Sequence, residues 1–471
     1  MRYAAILILA LAGWAGAQPV IPDTRAGTVL QAWLDAFNSG DRARVTAYLS
    51  KYEPREKDRI DGTLEFRERT GGFAITQIEK SEPLHIEALA KEREGRGNVV
   101  RIALDVDDSE TPTVQNFAIR IVPPKPDKPE ARLGLTEAIR ALDAQAIELT
   151  GKDQFSGAVL IARGPKTVFE KAYGLADREK HIAATSETRF RIGSMNKLFT
   201  ATAVLQLVGQ GKIDLAAPLG RYLTDYPNKD VATKVTIRHL LTHTGGTGDI
   251  FTPEFEQHRL EMHDLSDYLK LYGSRGLEFE PGTKWSYSNY GFILLGAVIE
   301  KVSGVSYYDY VRKHIFEPAG MHATDSLPET DKVNLRSVGY MRKGKSLMPN
   351  SDTLPWRGTS AGGGYSTVGD LFRFAQALSA GKLLKPELFA EMTSKQAAGR
   401  NMPPDAGYGF GMMVSEGPEG KRYGHGGGAP GMNGELRVFP RTSTVVVVLA
   451  NLDPPVASEL ADFFEARMPV D

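Results

Sequence analysis

Ser194 and Lys197 stand three residues apart, where an apolar run from Leu198 to Val208 begins. In a helix, residues three apart share a face, so the lysine amine can reach the serine hydroxyl. A serine hydroxyl becomes an effective nucleophile when a neighbouring base takes its proton. A lysine is such a base only when neutral, which requires burial or a nearby positive charge. A serine at a helix N-terminus also meets the positive end of the helix dipole, which favours a developing alkoxide. Serines commonly cap helices for quite other reasons. Ser-x-x-Lys also occurs at Ser379–Lys382, where Gly381 reads as a helix C-cap and the pair need not face each other. The residues downstream must decide.

Two further groups could complete an acyl-transfer site. Tyr287 and Asn289 lie in Trp285-Ser286-Tyr287-Ser288-Asn289, between the turn Glu280–Thr283 and an apolar helix over Gly291–Val302. Residues two apart in an extended segment point the same way, so both can face one cleft. The other Tyr-x-Asn, Tyr226-Pro227-Asn228, sits in a polar loop ahead of no buried helix. His425-Gly426-Gly427-Gly428 precedes two C-terminal strand patterns. Its glycines let a ligand approach the backbone and leave N–H groups for an anionic oxygen, although glycines alone equally describe a flexible loop. His243-Thr244-Gly245 lies upstream of Tyr287. His239 and His243 share a helical face, but with no His-Glu-x-x-His and no third ligand they read as helix-end residues, not zinc ligands. Gly364-Tyr365-Ser366-Thr367-Val368 fails as a Gly-x-Ser-x-Gly elbow at its last position.

The elements that must position these residues fill a chain of 471 residues, long enough for two domains. A net charge of −1 gives no reason to expect nucleic acid or an anionic membrane as partner. Residues 1–17 read as a signal peptide: Arg2, the apolar Ala4–Ala12, and Ala15-Gly16-Ala17 before Gln18. The apolar run is shorter than the roughly 20 residues of a membrane span, so the expectation is a secreted or periplasmic protein cleaved after Ala17. There is no cysteine, hence no disulfide and no thiolate metal site; no metal or cofactor is expected.

Residues 23–122 predict a small α+β domain. Helical patterns end near Ser50, and strand patterns follow over Gly72–Lys80, Leu84–Glu94, Asn98–Val106 and Val114–Val122. This order resembles the NTF2-like domains. No catalytic constellation is visible in it, and His85 reads as a surface strand residue. The proline-rich 123–130 predicts a semi-rigid linker. In 131–471, strand patterns at both ends, Ser156–Arg163 with Thr167–Gly174 and Gly434–Phe439 with Thr444–Asn451, enclose a helical region. They predict one antiparallel sheet built from both termini with an inserted helical subdomain, closed by a helix over Val456–Met468.

Ser-x-x-Lys, Tyr-Ser-Asn and His-x-Gly, in that order before a terminal strand pair, resemble the motifs of the serine β-lactamase-related hydrolases. These include class C β-lactamases, D-Ala-D-Ala carboxypeptidases, D-amino-acid peptidases and β-lactamase-like esterases. Thr236–Gly246 and Gly362–Thr367 with Asp370 are similar to the family as well. The resemblance implies a mixed α/β catalytic domain over 131–471 and an acyl-enzyme mechanism. Ser194 would be acylated, Lys197 and Tyr287 would share the base role, and Asn289 would orient Lys197 and substrate. His425 would stand at the third motif, with Gly427 and Gly428 binding substrate and the N–H groups of Ser194 and Gly428 forming the oxyanion hole. Where relatives carry Lys-Thr-Gly or His-Thr-Gly, this chain has glycine at 426. The hydroxyl that helps hold a substrate carboxylate is missing, which favours small neutral esters or amides over β-lactams and peptidoglycan stems. Carboxypeptidase, D-aminopeptidase or weak β-lactamase activity, and a silent binding protein on the same fold, are the alternatives.

Overall fold

The computed structural model describes residues 19–54, 59–94, 97–122, 131–344, 346–399 and 402–470. The expected signal peptide and proline-rich linker lie outside the described residues. Contacts divide the chain into two compact units, Met1–Lys125 with Lys343–Ser346 and Pro126–Arg342 with Leu347–Asp471.

In the first unit, helices Arg25–Ser39, Arg42–Tyr52 and Ile60–Thr70 accompany a four-stranded antiparallel meander. Thr24 and Asp41 cap the first two helices, each side chain accepting from a backbone N–H of the first turn. Ile86, Ala88 and Ala90 alternate inward on the second strand, and Val100, Ile102 and Leu104 on the third. They meet Trp33, Phe37 and Phe73, whose rings stack at 4.8–6.1 Å. The third helix escaped the sequence reading because only Thr70 in it is fully buried, so its apolar stripe is weak. His85 is a half-buried strand residue held by Asp105 and Glu87 at 2.6 and 3.1 Å.

The second unit is built on a seven-stranded antiparallel sheet. Its order is Ala406–Tyr408, Met413–Gly417, Gly420–Ala429, Met432–Phe439, Thr444–Ala450, Gly157–Arg163 and Lys166–Tyr173. Both ends of the unit thus meet in one sheet, as the strand patterns predict. Thr444–Ala450 is buried at every position, the mark of a strand covered on both faces. One face packs on helices Leu135–Gly151 and Val456–Glu465 through Leu142, Ala146, Leu460 and Phe464. The other packs on helix Asn196–Gly209, which is buried almost all round and joins the sheet to the inserted helices in one large core.

The His425 glycine run is not a loop. It lies inside the strand Gly420–Ala429, paired along its length with Met432–Phe439. Met413–Gly417 pairs with its other edge only as far as Gly424, so from His425 onward that edge has no strand partner among the described residues. Close packing is the reason for glycine here: a Cβ on Gly427 would stand 1.9 Å from the Ile192 carbonyl oxygen and 3.1 Å from the Ser194 nitrogen.

Candidate active site

Ser194 sits in a 3-10 turn, Gly193–Met195, that leads directly into helix Asn196–Gly209. Gly193 takes a φ of +50°, a left-handed value that favours glycine, and a Cβ there would lie 2.8 Å from the Gly428 nitrogen. The Ser194 turn and the glycine strand therefore meet backbone to backbone. Gly362–Gly364 closes the other side, Gly363 N–H donating to the Gly193 carbonyl and Ile192 N–H to that of Gly364.

Lys197 follows within one turn and is fully buried. Its ammonium donates to Asn289 Oδ1 at 2.7 Å and to the Ala361 carbonyl at 2.6 Å, and stands 4.7 Å from the centre of the Tyr287 ring. Burial pulls its pKa from 10.5 down to about 7, partly opposed by the Asp249 charge. Tyr287 is half-buried and its hydroxyl is hydrogen-bonded to Ser194. Desolvation pushes the phenol upward, so it is neutral over the working range. Asn289 is the first residue of helix Asn289–Ser303, whose N-cap is Ser288. Tyr287 and Asn289 thus reach Lys197 across an extended-to-helix corner, where the sequence spacing predicted a purely extended segment.

His425 is buried, and both ring nitrogens are occupied. Nδ1 donates to the Gly426 carbonyl, which leaves Nε2 to accept from the Tyr408 hydroxyl at 3.0 Å. Burial and the nearby Lys197 charge lower its pKa to about 3, so it is a neutral imidazole. Its ring centre lies 6.5 Å from that of Tyr287.

Gly426 and Gly428 face away from Ser194. A Cβ on Gly426 would stand 2.7 Å from Glu435 Oε2, and one on Gly428 would stand 2.7 Å from Pro454 Cγ. A side chain at 426 would have to move the Glu435 carboxylate, which is held through Oε1 by Arg437 at 2.9 Å.

The sequence does not reveal the part that three groups play at the site. His243, set aside because it precedes Tyr287, lies beneath that residue, its ring 4.3 Å from the tyrosine ring and packed also on Phe292 and Tyr408. Its Nδ1 accepts from Ser288 N–H at 3.1 Å, so the neutral tautomer carries its proton on Nε2, which is buried without a partner among the described residues. Asp249 accepts from the Asn289 backbone N–H through Oδ1 and from its Nδ2 through Oδ2, at 3.0 and 3.1 Å. Ala361 contributes only a carbonyl, which no side-chain motif could reveal.

The discarded motif copies lie in other roles. Ser379 ends helix Val368–Ser379 with its hydroxyl 3.0 Å from that of Tyr423, and Gly381 is left-handed at +72°. The Tyr226 hydroxyl meets that of Tyr290 at 3.0 Å in the core, and Asn228 caps a short helix. His239 closes a capping box with Thr236.

The Beta-lactamase family profile matches residues 137–467. The chain is 32% identical over 302 residues to the putative penicillin-binding protein PbpX of Bacillus subtilis (strain 168), covering 63% of this chain and 70% of that protein. It is 29% identical over 307 residues to esterase EstB of Burkholderia gladioli, covering 58% of this chain and 78% of that protein. A penicillin-binding protein structure from Bacillus halodurans superposes with a TM-score of 0.62 at 31% identity, covering 70% of this chain and 98% of its own.

Proposed function

Because the chain belongs to the β-lactamase family of serine hydrolases, we propose that Ser194 is its acylated nucleophile and that it cleaves small neutral esters or amides. The observation that carries this reading is the buried amine. Lys197, drawn down to about 7, stands 4.7 Å from the ring centre of a neutral tyrosine whose hydroxyl is already hydrogen-bonded to Ser194. At neutral pH about half of such an amine is free base, which is where a general base works best. Lys197 accepts the serine proton, with the Tyr287 hydroxyl as the relay, and the same proton returns to the leaving group. Asn289 keeps the amine in place. The N–H groups of Ser194 and Gly428, brought together where the turn meets the glycine strand, receive the developing oxyanion. His425, with both nitrogens committed, supports the pocket wall through Tyr408 and transfers no proton.

The preference for neutral substrates is supported by glycine at 426, which offers no hydroxyl to a substrate carboxylate, by the negative charge of Glu435 beside it, and by the similarity to a protein named an esterase. The signal-like N-terminus supports export with cleavage after Ala17, and the order of helices and meander supports an NTF2-like first domain without a catalytic role. Among the described residues no helix is long and apolar enough to cross a membrane. The test is fluorophosphonate labelling with a panel of p-nitrophenyl esters, nitrocefin and D-Ala-D-Ala peptides. Label on Ser194, lost in Ser194→Ala and kept in Ser379→Ala, with esters turned over fastest, is the expected result. Faster nitrocefin hydrolysis overturns the preference, and an unlabelled Ser194 overturns the mechanism.

A further inference from the structure

Asp249 ends a glycine-rich loop, Gly245-Gly246-Thr247-Gly248-Asp249, with left-handed φ values of +67° at Gly246 and +68° at Gly248. The loop is held from both sides. Arg275 donates to the Asp249 carbonyl at 2.8 Å while stacked over Tyr272 and Tyr290, and the Ser288 hydroxyl donates to the Gly248 carbonyl. The carboxylate is thereby set against the first residue of helix Asn289–Ser303. Its two oxygens take different donors of one residue, the backbone N–H and the side-chain amide of Asn289.

The amide of Asn289 has one acceptor end and one donor end, and it lies between an ammonium, which only donates, and a carboxylate, which only accepts. Only one orientation satisfies both neighbours: Oδ1 towards Lys197 and Nδ2 towards Asp249. We infer that Asp249 is a positioning residue for the reaction, holding Asn289 by both its backbone and its amide so that Oδ1 is aimed at the Lys197 amine. It also sets a carboxylate charge near that amine, whose other polar neighbours among the described residues are the neutral rings of His243 and His425, the Tyr287 phenol and the Ala361 carbonyl. Among the described residues, the cation bonded to Asp249 is Arg275, through the backbone carbonyl.

This inference rests on the proposed role of Lys197 as base, and its test separates the two. Asp249→Asn keeps the shape but turns an amide donor towards the Asn289 amide donor, so Asn289 flips and offers Nδ2 to the lysine. In the full-length protein kcat falls about 10- to 100-fold, a loss typical of a misoriented base, while KM for a short ester changes little. Loss of the carboxylate also moves the acid limb of kcat/KM to lower pH, by about one unit. The double variant Asp249→Asn/Asn289→Asp restores donor facing acceptor. It recovers most of the lost kcat, and with a carboxylate now directly on the amine its acid limb moves above that of the wild type. Near-ultraviolet circular dichroism checks each fold, and the double variant decides if the single one fails to fold. An active wild type whose acid limb is unmoved in the folded variants overturns the inference. A wild type with no acid limb near 7 overturns the role of Lys197 instead.

Discussion

Replacing Lys197 by methionine tests the central claim, a neutral amine at neutral pH, without relying on any substrate. An unfolded lysine titrates near 10.5, and burial holds the folded one at about 7. Between those values the unfolded chain carries a proton that the folded chain does not, so stability rises with pH across that window. Below about 7 both states are protonated and the full penalty applies; above 10.5 both are neutral and it vanishes. The slope is about 1.4 kcal/mol per pH unit, or about 5 kcal/mol over the whole interval. The variant lacks this term. It loses packing and strands Asn289 Oδ1 and the Ala361 carbonyl, but those losses do not depend on pH and shift the offset, not the slope. Other site groups titrate elsewhere: His243 and His425 are lowered from 6.5, and Tyr287 is raised from 10. From pH 7.5 to 9.5 the comparison is therefore clean. Urea unfolding of residues 18–471 in a Trp33→Phe background leaves Trp285 and Trp356 to report the second unit. The wild type is expected to gain about 2.7 kcal/mol on Lys197→Met over those two units. Equal slopes would mean that Lys197 stays protonated in the folded protein and is no base at pH 8.

Tyr287→Phe removes the hydroxyl bonded to Ser194 and is expected to lower kcat/KM on short esters by about 10²- to 10⁴-fold. Its acid limb should stay near 7, because that limb belongs to the lysine; a limb that disappears with the phenol would assign the titration to Tyr287. Glu435→Gln removes the carboxylate under Gly426 and leaves Arg437 its partners Asp462 and Glu465. Removing that charge should raise the ratio of anionic to neutral ester turnover at low salt by several-fold at most, because at a protein surface a single charge pair separated by more than direct contact interacts by about 1 kcal/mol. The gain should shrink as salt is added, and a ratio independent of the substitution would remove Glu435 from the account of specificity.

The parts of the site legible in the sequence are side chains carrying chemistry at fixed spacing along the chain. Ser194 and Lys197 share one helical turn, and Tyr287 and Asn289 share one corner, so each pair could be read locally. The sheet was legible because Gly157–Arg163 and Thr444–Ala450 are continuous apolar runs. What escaped is what depends on distant segments meeting. His243 was judged by its place in the motif order, yet order along the chain says nothing about which ring packs beneath Tyr287. Asp249 is an unremarked acid in a glycine-rich loop until helix Asn289–Ser303 presents two donors to it. Tyr408 belongs to no motif and matters only because strand pairing brings it to His425.

The glycines after His425 make the same point most sharply. Read along the chain, they form one uniform run with a missing hydroxyl. Alternation in the strand divides them between two faces of the sheet, and each is small for its own reason. Gly427 must admit the Ile192 carbonyl and the Ser194 nitrogen, and this contact brings the two N–H groups of the proposed oxyanion hole together. Gly428 lies against Pro454, and Gly426 against Glu435. A threonine at 426 would first have to displace a carboxylate tied to Arg437, so Gly426→Thr alone is a poor probe of specificity. The position inherits its character from the neighbouring strand. Any change of preference towards carboxylate-bearing substrates has to begin at Glu435, because a hydroxyl added beside a fixed negative charge would donate to that charge before it could donate to a substrate.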